Sequence, residues 1–400
     1  MVRRHALDFW RLPALAFVPG ENVDRFRKQF QSAETPSFYR APGRVNLIGE
    51  HTDYNLGYVL PIALEMACYV GIAPASHGNL RVYSRDLDKE VSVPVADIAS
   101  VKPSKQWSDY VLGVAQELVK AGFTIAPADV FIVSEVPAGS GLSSSAALEI
   151  ATAVALLRGR AFPKVELAKL GQRAESKFVG MPCGIMDQYA AVFGHAGAAL
   201  KIDCRSLGHE YVELPSNVRI IAANSLVKHE LGTSAYRERV AECGQAVSAL
   251  REIDPGIESL RDVSPEFFER VQESVPLTPR RRARHIISDT QRVVDLAAAA
   301  RAHDLSEMGR LFVASHRSMQ YDYQISCEEI DFLVDTAIKI PDVYGSRMTG
   351  GGFGGCTVNL VAPEAVDAFR QQLSAAYQDR YQKTPAFYDC LPAEGAGPLR

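Results

Sequence analysis

The chain has 400 residues, 47% hydrophobic and 22% charged, which is enough to bury a sizeable core in about two domains without disulfide staples. Its 43 basic and 47 acidic residues leave a formal net charge of −4, which points away from nucleic acid and anionic membrane surfaces as partners. No run of roughly 18 apolar residues is present to span a bilayer. Seven scattered cysteines without a C-x-x-C pair point to thiols in a reducing compartment, the cytoplasm, and nine histidines without ligand spacing argue against structural zinc.

Taken in chain order, the opening MVRRHALDFWRLPALAFVPG is interrupted by Asp8, Arg11 and Pro13 and is too polar for a secretory signal core. Residues 1–34 read as an N-terminal extension with a short helix from Val23 to Phe30. A β-rich region follows: Arg44-Val45-Asn46-Leu47, Tyr58–Val70, Leu80–Tyr83 and Val91–Val93 are strand-like, most of them by alternation. Tyr110–Lys120 has helical spacing, Val130–Val136 is a β-branched run, and Ser143–Arg158 and Val165–Phe178 read as helices. Asp187-Gln188-Tyr189 can open another helix. Strands are expected at Leu200–Asp203 and Val218–Asn224. The second half reads as long helices over Ala235–Ile253, Arg280–Ala302, Leu305–Ser318 and Cys327–Lys339, with one strand at Cys356–Val361. Thr278-Pro279 reads as a helix start, followed by Arg280, Arg281, Arg282 and Arg284 as a solvated face. Leu214-Pro215-Ser216-Asn217 punctuates the pattern and sets an expected boundary between domains 35–214 and 215–400, of α+β class.

Three stretches carry chemistry. APGRVNLIGEHTDYNLGYVLP, Ala41–Pro61, places Arg44, Asn46, Glu50, His51, Asp53 and Asn55 between apolar flanks. Such a cluster suits either a set of hydrogen-bond partners for a polyhydroxylated ligand or a pair of solvated turn carboxylates. VFIVSEVPAGSGLSSSAALEIATAVALL, Val130–Leu157, is a strand, a glycine-rich loop and a helix. A helix N-terminus reached through glycines suits phosphate, with Ser143, Ser144 and Ser145 as hydroxyl ligands, and it equally suits a turn capping a buried helix. The loop lacks the lysine of G-x-x-x-x-G-K-[ST], and it meets Ser144 where G-x-G-x-x-G needs a third glycine. RMTGGGFGGCTV, Arg347–Val358, surrounds Phe353 with five glycines.

With Gly43–Pro61, Pro137–Ala147 and Arg347–Val358 together, the sequence resembles the GHMP small-molecule kinases and, within them, the galactokinase family. PCGIMDQ (Pro182–Gln188), VKHELGTSAY (Val227–Tyr236) and DYQISC (Asp322–Cys327) extend the likeness, and GEHTDYN is the galactokinase form of the first motif. The resemblance implies an N-terminal domain like ribosomal protein S5 domain 2, a ferredoxin-like C-terminal domain and an active site in the cleft between them. It implies transfer of a phosphoryl group from MgATP to the anomeric hydroxyl of α-D-galactose. Asp187 is then the base and Arg44 the arginine near the transferred group. Glu50, His51, Thr52, Asp53, Gly184 and Tyr236 bind the sugar, with His51 either touching it or orienting a neighbour. Gly139, Ser140, Gly141, Leu142, Ser143, Ser144 and Ser145 bind ATP, and Ser145 and Glu175 hold Mg²⁺. Without the family, Glu175 reads as an exposed helix residue. The third motif reads as a backbone wall beside the phosphate loop, and Trp107 as either an adenine contact or a packing residue. Galactose and ATP are the expected partners of a monomer. Two other readings are a family kinase acting on N-acetylgalactosamine or arabinose, and a galactose sensor without turnover. Ser145 and Ala146, missing from such sensors, are present here.

Overall fold

The computed structural model describes residues 17–228 and 232–399. The expectations for residues 1–16, and for His229, Glu230 and Leu231 within Val227–Tyr236, lie outside the described residues. In chain order the elements are α1 (Pro19–Phe30), β1 (Ser37–Asn46), β2 (Tyr58–Val59), β3 (Pro61–Pro74), β4 (Asn79–Ser84), β5 (Lys89–Pro94), α2 (Asp109–Lys120), β6 (Ala128–Ser134), α3 (Ser144–Leu157), α4 (Lys164–Arg173) and α5 (Met186–Phe193). They continue with β7 (Ala198–Asp203), β8 (Gly208–Glu213), β9 (Arg219–Lys228), α6 (Gly232–Arg251), α7 (Pro265–Val271), α8 (Leu277–Arg301), α9 (Leu305–Ser318), α10 (Glu328–Ala337), β10 (Val343–Thr349), β11 (Gly354–Val361), α11 (Val366–Tyr381), β12 (Ala386–Asp389) and β13 (Gly397–Pro398). This is the mixed helix-and-sheet class expected.

Packing divides the chain into two compact units. One comprises residues up to Arg44, Ala63–Gly194 and Ala393 onward; the other comprises Val45–Ile62 and His195–Pro392. The division therefore falls at Gly194/His195, not at the punctuation near 214. The reason is strand pairing: β7 pairs with β2 and with β8, and this keeps Ala198–Glu213 with the Val45–Ile62 segment.

The first unit holds a six-stranded sheet in the order β13-β1-β3-β6-β4-β5, with β4 and β6 parallel. Residues 17–34, the described part of the segment expected as an extension, pack against it. Phe26 and Phe30 of α1 are buried against Phe38, Ala73, Phe131 and Val133, and Phe17 stacks on Tyr69 at 4.1 Å. Nearly every position of α3 is buried, as its apolar composition requires, and α3 packs with α2, α4 and α5.

The second unit holds the sheets β10-β11-β9-β12 and β2-β7-β8. Every residue of β11 is buried, as suits a central strand. Ile221, Leu333, Ala337, Phe369, Leu373 and Tyr377 form the core beneath the larger sheet. The long helix α8 starts at Leu277 after Pro276, two residues earlier than Thr278-Pro279 suggests. Its arginines are not simply solvated: Arg282 is buried, donating from Nε to Glu242 Oε2 at 2.7 Å and from Nη1 to the Asp322 carbonyl at 2.6 Å. One turn on, His285 is fully buried, with Nδ1 2.9 Å from Ser318 Oγ and Nε2 3.1 Å from the Glu50 carbonyl.

Gly309 lets α9 reach β10. A Cβ there would lie 1.9 Å from the Tyr344 carbonyl oxygen, so the approach is possible only without a side chain. Alanine is the better helix former by about 1 kcal/mol, yet overpacking costs about 1–3 kcal/mol. Gly309→Ala is therefore expected to lower the denaturation midpoint, and an unchanged or raised midpoint would contradict this packing. Burial lowers His285 from an ordinary value of 6.5 to about 4. The folded ring binds fewer protons than the unfolded one, so its contribution to stability is full above 6.5 and is lost as pH falls toward about 4. Urea denaturation across that window is expected to show a shallower pH slope for His285→Gln than for the native chain.

Candidate functional site

In the first unit the site is built where β6 passes through the glycine loop into α3. Gly139 (φ 74°) and Gly141 (φ 82°) take left-handed backbone, as does the non-glycine Ser143 (φ 61°). Ser140 closes the turn, donating its hydroxyl to the Pro137 carbonyl at 2.7 Å. Ser143 stands at the N-cap of α3 but makes no capping bond. Its hydroxyl instead donates to Asp187 Oδ2 at 2.5 Å. The first-turn N–H groups of α3 thus have no side-chain cap, which leaves a positive helix end for an anion.

Arg44 organises the other side of this loop. Its Nε and Nη2 fork onto Asp187 Oδ1 and Oδ2, both at 2.9 Å, and Nη1 donates to the Gly141 carbonyl at 2.5 Å. Its backbone N–H donates to the Leu142 carbonyl at 3.1 Å, while a Cβ on Gly43 would sit 2.7 Å from the same oxygen. The end of β1 is therefore laced to the glycine loop. The Arg44 side chain is buried, whereas that of Asp187 is 26% exposed, so the carboxylate remains within reach of a ligand. Asp187 lies in the first turn of α5, and Gly184 is buried in the turn just before it.

Glu175 lies at the start of a π turn, Ala174–Val179, that interrupts the helix expected over Val165–Phe178. It is buried, not exposed. It accepts from Gln188 Nε2 at 2.7 Å and is hydrogen-bonded to Ser145. Burial and then the charge of Asp187 push its carboxyl up to about 7. The same Gln188 amide donates to Glu149 Oε2 at 2.9 Å. Glu149 and Gln188 were not singled out from the sequence, although an acid within AALEIATAVALL is a signal in itself. Trp107 sits partly buried in the turn before α2.

In the second unit the Val45–Ile62 segment is fastened to the third glycine motif. Arg347, fully buried, pairs through Nη2 with Glu50 Oε2 and donates from Nη1 to the Leu47 carbonyl at 2.7 Å. Thr349 Oγ1 lies 2.8 Å from the Asn46 carbonyl and 3.3 Å from Glu50 Oε1, which also accepts from the Gly350 N–H at 3.2 Å. Burial pushes the Glu50 carboxyl upward, and the Arg347 guanidinium pulls it back. The expected clamp residue is thus also the anchor of RMTGGG. Thr52 differs more from expectation: its hydroxyl faces the Gly49 carbonyl at 2.8 Å and the Tyr58 carbonyl at 2.6 Å, so it shapes the loop. Asp53 opens a short 3₁₀ turn, Asp53–Asn55, and is buried.

His51 has left-handed backbone (φ 62°) and a ring enclosed by tyrosines. Tyr236 and Tyr323 lie with ring centroids 5.0 Å away, and Tyr54 OH is 2.8 Å from Nδ1. Burial lowers the ring to about 3, so it is neutral. The Gly351 carbonyl, 3.2 Å from Nε2, can only accept, which puts the proton on Nε2. Nδ1 then accepts from Tyr54, Tyr54 from Tyr323 at 2.6 Å, and Tyr323 from the Cys243 thiol at 3.2 Å. In this arrangement the His51 ring orients the Tyr54 hydroxyl.

Comparison with known proteins follows the same residues. The galactokinase galactose-binding signature matches residues 24–74, the GHMP kinases N terminal domain residues 109–195, and the GHMP kinases C terminal domain residues 296–379. The chain is 45% identical over 380 residues to a galactokinase of Roseiflexus sp. (strain RS-1), covering 94% of this chain and 96% of that one. It is 42% identical over 398 residues to the galactokinase of Homo sapiens, covering 96% and 98%. A crystal structure of Lactococcus lactis galactokinase complexed with galactose superposes with a TM-score of 0.91 at 33% identity, over 95% of this chain and 99% of that one. Methanococcus jannaschii mevalonate kinase, at a TM-score of 0.64 and 18% identity, shares the fold. The glycine loop with its forked Arg44–Asp187 pair, and the GEHTDYN segment held by Arg347, are therefore the parts of a GHMP kinase, and the chain belongs to the galactokinase family.

Proposed function

We propose that the chain phosphorylates α-D-galactose at the anomeric hydroxyl, using ATP and giving galactose 1-phosphate and ADP. The observation that carries the reading is the helix start left uncapped because Ser143 bonds Asp187 instead. An anion cradle and a reachable carboxylate are thereby coupled through one side chain. Asp187 takes the proton of the attacking hydroxyl as the bond to phosphorus forms, and the Arg44 fork holds the carboxylate in one orientation. The Arg44 guanidinium also offsets negative charge on the transferred group. The N-terminal amides of α3 and the loop Gly139–Ser145 receive the phosphates. Glu50, His51, Asp53, Gly184 and Tyr236 serve the sugar, with Thr52 fixing the turn that carries them.

Ser145 and Glu175 offer a hydroxyl and a buried carboxyl already in contact, a hard oxygen pair that fits Mg²⁺. Among the described residues no group of three or more His, Cys, Asp or Glu could hold a metal, which suits an ion that takes its remaining ligands from phosphate and water. When bound, Mg²⁺ supplies charge neutralisation at the phosphates. No helix among the described residues is long and apolar enough to cross a membrane, and the seven cysteines are not joined in disulfides. We propose a cytoplasmic enzyme of galactose metabolism that acts as a monomer.

Asp187→Ala and Arg44→Ala are each expected to lower kcat by about 10²–10⁴ while leaving the folded chain intact by circular dichroism. Near-normal turnover in Asp187→Ala would remove the base assignment. In a sugar panel with MgATP, ADP release is expected to be fastest with galactose. A faster rate with N-acetylgalactosamine or arabinose would favour that sugar, and galactose binding without ADP would make the chain a sensor.

A further inference from the structure

Glu149 is a buried acid that the mechanism above does not use. It lies on α3 one turn after Ser145, with no exposed surface, among residues that are otherwise almost all apolar. Burial in such surroundings pushes its carboxyl well above the usual range. A leucine would pack there without that cost. The acid makes one resolved bond: its Oε2 accepts from Gln188 Nε2 at 2.9 Å. Gln188 is itself fully buried, and its two N–H donors are both committed to carboxyl oxygens, those of Glu149 and Glu175. The Gln188 Oε1 and the Glu149 Oε1 have no protein hydrogen-bond partner, so no other bond turns the amide. Gln188 directly follows Asp187 on α5, and Glu175, at the far end of the bridge, is bonded to Ser145.

We infer that Glu149 is a positioning residue: acting through the Gln188 amide, it fixes the orientation of the Glu175 carboxyl and hence of the Ser145–Glu175 oxygen pair. The inference rests on the proposed role of that pair in holding Mg²⁺. Without the Glu149 acceptor, the Gln188 amide keeps a single anchor and can rotate, and the Glu175 oxygens follow it. The bridge of Glu149, Gln188 and Glu175 includes none of the residues assigned to the sugar, so its effect is expected on the metal and not on sugar affinity.

The test uses the full chain with ADP and Mn²⁺ as a probe, read by electron paramagnetic resonance, with galactose affinity and the melting temperature measured alongside. Glu149→Leu is expected to weaken Mn²⁺ binding by about 10-fold or more, the loss typical when a metal ligand loses its outer support, with galactose affinity unchanged. Glu149→Gln, which keeps an acceptor oxygen, is expected to restore it, and Gln188→Met to reproduce the loss. Native Mn²⁺ affinity in Glu149→Leu overturns the inference, and so does an equal loss of Mn²⁺ and galactose binding, which marks a general packing role. If Glu149→Leu does not fold, Gln188→Met decides by the same readings. Glu175→Ala separates the two levels. Native Mn²⁺ affinity there removes the metal assignment and the inference with it, whereas weak binding there beside native binding in Glu149→Leu removes the inference alone.

Discussion

A carboxyl group withdrawn from water must be given donors or keep its proton, and the polar cluster of each unit is arranged around this constraint. Asp187 is met by a forked guanidinium and a serine hydroxyl. Glu50 is met by Arg347, Thr349 and a backbone N–H. Glu175 and Glu149 share one amide. These solutions differ in consequence. Removing one partner of a buried ion pair costs about 3–5 kcal/mol because the other charge is stranded, so Arg347 and Glu50 hold the GEHTDYN segment and the RMTGGG loop in one arrangement. Asp187, partly exposed, bears a smaller desolvation cost and keeps a face for chemistry.

The glycine loop shows local stability yielding to that arrangement. A serine N-cap is worth about 1 kcal/mol, and a non-glycine residue in left-handed backbone costs about 1–3 kcal/mol. Ser143 forgoes the first and bears the second. What offsets both is the bond to Asp187 together with the Arg44 bonds to the Gly141 and Leu142 carbonyls. The outcome is a helix end whose first-turn amides are left without a side-chain cap and are held in place by the bonds around them.

Contiguous features were legible in the sequence, and partnerships between distant segments were not. Leu305–Ser318 forms the helix expected at those bounds, and the glycine loop leads into α3 as its pattern suggests. The strand Val343–Thr349 has no alternation: Gly345 through Thr349 are all buried, including Ser346, Arg347 and Thr349, so a period-2 search passes over it. Arg347 is 297 residues from its partner Glu50, and nothing local in VYGSRMT marks the arginine as a core residue. Without the family resemblance Glu175 reads as an exposed helix residue, yet it is buried at the start of the π turn Ala174–Val179, where its partners Gln188 and Ser145 come from other segments. The division at 194/195 was hidden because β2 and β7 are neighbours in the sheet, where Val59 pairs with Ile202, although they lie far apart in sequence.

The hydroxyl chain around His51 carries the constraint to its end. One backbone carbonyl, that of Gly351, fixes the tautomer of His51. The tautomer fixes the direction of the Tyr54 and Tyr323 hydroxyls and ends at the Cys243 thiol, which burial pushes up to about 11 and so keeps protonated. Each group in this chain has its donor or acceptor role settled by its neighbour, and Asn55 adds a bond to the His51 carbonyl at 2.9 Å. A loop whose polar groups are so committed is held in one arrangement, and the third glycine motif contributes to that rigidity through a carbonyl oxygen and not through a side chain.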